Sequence, residues 1–501
     1  VTNNEDIAEE LKNLYLINQY AKNDLNKLKL KQTDVNFKAI DAILKSEENQ
    51  FSEYSNVIEN FNFFNSLINE ENFEAIIKGL KRLSCVEITL ERGKDDPQRI
   101  FESLNSTGLA LTQSDLIRNF ILMDLEPIHQ EEVFDTIWNP IEKNAYIYQS
   151  QESVVSDFIR NYLTLKNKKI PKKLGVFEEF KKIALTKSPE QFQSDLIEIK
   201  ELSISYNKII TPATIQDKEI STQIKYINRL EINVSFPLLI KLFEDLEKNK
   251  VSRKDFLRIL KLLQSYSWRR FVVGLPTNAL NKVFMSLASE IDESDYYNSI
   301  AIALLKKSGS GLFPKDEEFR SSIKEKNFYN IRSKNKSYMF EVLENYQNNE
   351  YVDTNNSQIT IEHIFPQNPD KDWLNEMESN EYIEFQNKYL NTIGNLTLSG
   401  NNGALGNKSF KKKLEMNVKG GEQGYKFSRL WLNRDLKTYT SWNREYYSER
   451  TNILIERFLK IWSYPDVVLQ ISEKETEQNI FECDPPTNKN LDYYIFLDEK
   501  K

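Results

Sequence analysis

Gln358–Gln367 reads QITIEHIFPQ. Apolar Ile359 and Ile361 alternate with polar Thr360 and Glu362, a period of two that predicts a short β-strand. Pro366 removes a backbone donor and stops the strand there. The chain has only two histidines, and one of them, His363, stands at the end of this run beside Glu362. Imidazole accepts a proton near neutral pH and is the commonest general base. Taken alone, a histidine in this place reads most simply as structural. Neighbours on a strand point to opposite faces, but at a strand end the backbone can turn so that both approach one metal ion.

Downstream, Gly394-Asn395-Leu396-Thr397-Leu398 gives a second short strand, and SGNNGALGNKSFKKKLE (399–415) a loop entering a helix. A strand ending in histidine, a strand headed by asparagine and a helix with asparagine near its start make a ββα outline. The pattern resembles the HNH nuclease fold, the ββα-metal finger. EHIFPQ, GNLTL, an asparagine loop and a GN-x-x-F-x-x-K tail are together similar to the C-terminal domain of the GmrSD-type (type IV, modification-dependent) restriction endonucleases.

The resemblance implies a role for each matching position. His363 matches the histidine that activates water, and Asn395 the middle asparagine that pins the loop and orients it. Glu362 matches the acidic residue beside the histidine, a metal ligand or its neighbour. Asn402 matches the last metal-binding polar residue, with Asn407 as the competing choice. Lys413 matches the lysine of the tail, near phosphate, and Lys411 shares its basic cluster. The implied reaction is hydrolysis of DNA phosphodiesters. A base takes a proton from water while Mg²⁺ or Mn²⁺ offsets charge on the phosphate and the leaving oxygen. The implied target is modified phage DNA.

A second stretch, DDPQRIFESLNSTGLALTQSDLIRNFILM (95–123), reads first as a well-capped turn. Thr112 is a good N-cap, and Asp115 completes a capping box with Asp in place of Glu. It also looks like the F-x-x-LN-x-x-G…L-x-x-x-D-L-x-R-N signature of the same family's ParB-like N-terminal domain, which implies nucleotide binding. Asn105, Gly108, Asp115 and Arg118 are the matching positions. The family's DGQQR motif belongs upstream, and the chain contains no such string. We therefore expect a fragment or an incomplete nucleotide site, with NTP an open cofactor.

At 501 residues the chain is too long for one compact core. The expected architecture is mainly α and multi-domain, with the ββα-metal finger embedded in helices. The divisions are 1–125 (ParB-like remainder), 126–310 (helical middle), 330–465 (HNH nuclease) and 466–501 (acidic extension). SGSG at 308–311 is the linker candidate. CVEITLERG around Cys85 and NLDYYIFLDEKK at the end read as strands. Helices are expected over 114–125, 237–248 and 254–271. In the last of these, Phe256, Leu257, Leu260, Leu263 and Tyr266 form an apolar stripe, and Arg269 and Arg270 near its end are candidates for phosphate or surface charge.

The net charge of −8 argues against a protein that is basic all over, so local clusters such as LKNKKIPKK (165–173) and KSFKKK (408–413) would carry any DNA contact. Two distant cysteines make neither a disulfide framework nor a zinc set and suit a reducing cytoplasm. No apolar run is long enough for a bilayer, and no membrane partner is expected. The expected partners are DNA, a nucleotide, and either a second copy or another subunit of a defence complex. The rival reading is a catalytically silent DNA- or nucleotide-binding regulatory subunit.

Overall fold

The computed structural model describes residues 5–21, 28–29, 34–52, 55–84, 87, 89, 100, 111–123, 125–354, 356–418 and 421–467. Asn105, Gly108, most of the strand expected around Cys85 and the strand expected near the end lie outside them. The chain divides into two compact units, 1–95 and 96–501. The first carries α1 (Glu5–Leu11), α2 (Asp34–Leu44), α3 (Asn56–Leu67) and α4 (Phe73–Leu80). α2 carries Phe37, Ile40, Ile43 and Leu44 at helical spacing. Ser55 caps α3 by accepting from Val57 N–H.

The second unit is mainly helical with short antiparallel hairpins. It begins with α5 (Gln113–Leu122), where both bonds of the Thr112–Asp115 capping box form. A small hairpin follows, β1 (Tyr146–Ile147) with β2 (Glu152–Ser153). The middle of the unit includes α6 (Pro189–Ile210), α7 (Lys218–Arg229), α8 (Phe236–Glu247) and α9 (Arg253–Val273). Ser252 caps α9 through Asp255 N–H, and Gly274 ends it at φ 88°, a left-handed conformation that glycine adopts without a Cβ penalty. The whole expected stripe of α9 is buried.

Arg269 and Arg270 differ from expectation. Both are buried, so neither offers its guanidinium at the surface. Arg269 donates to Trp462 O, Pro314 O and the Asp316 carboxylate. Arg270 donates to Leu312 O, Pro276 O and Ser310 O. The guanidinium forks supply donors to loop carbonyls that would otherwise be buried unmatched. The same bonds explain why Ser308–Gly311 is no flexible linker. Gly309–Gly311 forms a 3₁₀ turn, with Gly311 O accepting from Tyr266 O–H at 2.8 Å.

Further along come, among others, α10 (Ser333–Asn345), β3 (Thr360–His363), β4 (Leu396–Ser399), α11 (Asn402–Leu405), α12 (Phe410–Leu414), the hairpin β5 (Asn417–Val418) with β6 (Gly421–Glu422), and α13 (Arg444–Ile461). Three apolar cores run through this unit. The first fills the helices between Ile117 and Phe313. The second joins Tyr226 and Trp268 of the middle helices to α10, β4 and α13, with Trp268 and Trp462 rings 5.2 Å apart. The third surrounds α12 with Phe365, Trp373, Phe385 and Trp442. The β3–β4 hairpin lies between the second and third cores.

Candidate active site

β3 and β4 pair antiparallel, Thr360 opposite Ser399 and His363 opposite Leu396. Past the last pair, Ile364 N–H still finds Asn395 O at 2.9 Å. Beyond that the Asn395 side chain takes over from the ladder. Its Oδ1 accepts from Phe365 N–H at 2.8 Å, and its Nδ2 donates to Phe365 O and Leu390 O, both at 2.9 Å. Fully buried, Asn395 binds the turn after β3 to the turn before β4. It touches no solvent, so its place is that of a positioning residue.

β4 is held from behind as well. Arg450 of α13 donates to Gly394 O and Leu396 O. A Cβ on Gly394 would stand 2.6 Å from Tyr447 Cε2 of the same helix, so only glycine fits here. Asn433 donates to Leu398 O at 2.9 Å, and Glu344 of α10 accepts from Trp431 and Leu432 N–H.

Alternation sends Glu362 and His363 to opposite faces of the hairpin. Glu362 faces the third core. Lys413 Nζ of α12 reaches Glu362 Oε1 at 2.5 Å and also donates to His363 O at 2.8 Å and Ile364 O at 3.2 Å. Tyr425 O–H approaches the same Oε1 at 3.4 Å. Burial raises the Glu362 carboxyl's affinity for a proton, and the Lys413 ammonium opposes that. Burial pulls the Lys413 ammonium down, and Glu362 opposes it. The phosphate contact expected of Lys413 is not what this position offers. With 0% of its surface exposed, its three donors are spent on the strand end.

His363 faces the second core. Its ring lies 4.4 Å from that of Tyr329, and Nε2 stands 3.1 Å from Asn391 Oδ1. An amide oxygen only accepts, so Nε2 carries the hydrogen and Nδ1 is left as the basic nitrogen. Burial lowers the imidazole's affinity for a proton, Asn391 opposes this, and the Lys413 charge adds to it. Burial therefore favours the neutral form of the ring. Asn391 is itself anchored, its carbonyl accepting from Phe328 N–H at 2.9 Å. Sequence reasoning missed it; the available signal was a second asparagine four residues before Asn395.

Asn402 opens α11, and its Nδ2 donates to Ile361 O at 2.8 Å and Thr360 Oγ1 at 3.1 Å. Its side chain thus belongs to β3. Asn407 instead offers its backbone oxygen to Asp370 N–H and Trp373 Nε1. Among the described residues no group of three or more His, Cys, Asp or Glu side chains gathers as a metal cage. Lys411 is exposed, while Lys412 is paired with Asp372. Far from this hairpin in sequence, Arg118 bridges Asp115 and Glu142, both at 3.0 Å, and Glu142 also accepts from Trp138 Nε1. No helix among the described residues is long and apolar enough to cross a membrane.

Two family models match the chain. Residues 2–122 match the GmrSD restriction endonuclease N-terminal domain, and residues 313–457 match the C-terminal domain of the GmrSD restriction endonucleases. The second match contains the whole β3–β4 hairpin with α11 and α12. No curated protein matches the chain. The two matches fall in the family's own order and together cover just over half of the residues, so the chain belongs to the GmrSD restriction endonucleases and is a nuclease of a restriction system.

Proposed function

We propose that the chain is an HNH-type, divalent-metal-dependent DNA endonuclease in which His363 is the general base. The observation that carries this reading is the Nε2–Asn391 contact, which leaves Nδ1 of a neutral imidazole as acceptor at the end of the hairpin. Nδ1 takes the proton of a water that attacks phosphorus, and the bond to the leaving oxygen breaks. Asn391 holds the tautomer, Asn395 the turn, and Lys413 the strand end. Exposed Lys411 is the phosphate contact in this reading.

The donor set suits a hydrated Mg²⁺ or Mn²⁺, which takes one or two protein oxygens and completes its shell with water and phosphate. Lys413 and Tyr425 both land on Glu362 Oε1 on the face opposite His363, so in this reading Glu362 supports the strand end and the ion is held without it. Asn402 spends Nδ2 on β3, and its Oδ1 is the ligand in this reading, with Asn407 the competing choice. When bound, the ion would offset charge on the scissile phosphate and the leaving oxygen. Modified phage DNA as target, nucleotide as regulator and a cytoplasmic location are part of the same proposal.

A plasmid nicking assay with Mg²⁺ or Mn²⁺ tests the proposal. His363→Ala is expected to lose about 10²–10⁴-fold in rate, the usual contribution of a general base. Equal cleavage by both proteins removes His363 from the chemistry. Cleavage by neither supports the silent binding subunit.

A further inference from the structure

Away from the hairpin, α7, α9, α10 and the end of α13 enclose a cleft of about 660 Å³. That volume lies in the range of small-molecule sites. Its walls are aromatic: Tyr226, Tyr338 and Trp462 are buried, while Tyr351 on the rim is 61% exposed and Tyr346 lies between. The polar floor is ordered. Tyr338 O–H donates to Gln264 Oε1 at 3.2 Å, and Gln264 Nε2 donates to Gln223 Oε1 at 2.8 Å. Gln223 thus accepts through its oxygen and keeps its NH₂ as the donor it presents. Arg258, which is paired with Asp255 and lies over the Tyr297 ring, Lys261, which is paired with Glu219, and Lys460 also line the cleft. This is a cationic rim in a chain of net charge −8.

Each part asks for a different piece of one ligand. Tyrosine faces stack flat heteroaromatic rings, amides read a polar ring edge, and a cationic rim holds an anion. A purely apolar ligand would bury the amides unmatched. A bare anion would leave the aromatic walls unused. We infer that the cleft binds one nucleotide unit, its base among the tyrosines and its phosphate at the rim. The same chemistry arrives from two sources, a free nucleoside phosphate or a nucleotide turned out of a DNA strand.

The cleft is also joined to the hairpin. α10 lends Val342 and Asn345 to its wall while Glu344 of the same helix fastens the loop behind β4. α13 lends Lys460 and Ile461 while its Arg450 grips the start of β4. An occupant therefore bears on both supports of the second strand. The assignment stands whether or not His363 is the base.

Titration calorimetry on the full chain in EDTA tests it, with ATP and GTP in one arm and a short single-stranded DNA in the other. Tyr351→Ala removes an exposed stacking face and Lys460→Glu reverses a rim charge, while Ile128→Ala, at an exposed position outside the cleft, serves as reference. Each of the first two variants is expected to weaken binding about tenfold in at least one arm, with Ile128→Ala matching the wild type. An effect in the ATP and GTP arm identifies a free nucleotide; an effect confined to the oligonucleotide identifies a base drawn from the strand. If neither arm binds, or if Tyr351→Ala and Lys460→Glu bind as tightly as the wild type, the assignment is overturned.

Discussion

The two faces of one hairpin meet burial in opposite ways. On one face Glu362 enters the interior with its charge and brings a countercharge, Lys413, 51 residues away in sequence. On the other, the adjacent His363 enters by giving up its proton, with Asn391 holding the remaining hydrogen on Nε2. Desolvation acts on both side chains, and what differs is the partner. A paired charge is fixed and builds structure. A neutral imidazole with one nitrogen committed keeps the other as a basic acceptor, which is what the proposed role asks of it. The lesson is that a two-residue motif, read as one functional unit, is split by the strand's own alternation onto two faces with different partners.

The sharpest break in that contrast is Lys413→Met. It leaves the Glu362 carboxylate buried beside an apolar chain and is expected to cost about 3–5 kcal/mol. Chemical denaturation measures this. The double variant Glu362→Gln with Lys413→Met should recover much of the loss, because it removes both charges. If the single variant melts like the wild type, the ion pair is not what holds this face.

Asn395→Ala is expected to come next, at about 3 kcal/mol, because it strands buried Phe365 N–H and two carbonyls. The unfolding transition of the purified variant reads it directly. An unchanged stability would show that the turns meet without the amide.

On the His363 face the expected changes are in rate rather than stability. Asn391→Ala frees the ring to turn and to exchange tautomers, and cleavage should fall about tenfold with KM little changed. The pH–rate profile sharpens the point. Burial holds the His363 pKa below its ordinary value, so the base is expected to remain active down to pH values below the usual imidazole range. The linkage sign agrees. As pH falls through the ordinary imidazole range, the unfolded chain takes up a proton that the folded chain refuses. This contribution therefore favours the folded state above that range and diminishes below it. An acid limb at or above the ordinary imidazole value would contradict the buried, neutral ring.

Much of the hairpin was legible because its signals are local. Alternation in ITIE, the stop at Pro366 and the asparagine ahead of LTL each depend on neighbouring residues. The Thr112–Asp115 capping box and the stripe of α9 were legible for the same reason. What sequence hid was long-range. Arg269 and Arg270 read as surface charge, because nothing near them shows the loop carbonyls of Ser310, Leu312, Pro314 and Trp462 that they satisfy. Lys413 sits in a run of three lysines, and only α12's packing against β3 selects the one that turns inward. Asn391 lies outside any regular element, where periodicity gives no face to assign.

The stacking of Trp462 on Trp268 bears on how this enzyme can be dissected. The C-terminal family match ends at 457, inside the last turns of α13, and it begins at 313, after α9. A recombinant piece trimmed to those limits would lose both indoles of the pair and expose the tyrosine, Tyr338, that Trp462 Nε1 engages at 2.7 Å. The smallest catalytic fragment worth expressing is therefore longer than the matched segment: it has to reach back through residue 253 and run on past residue 462.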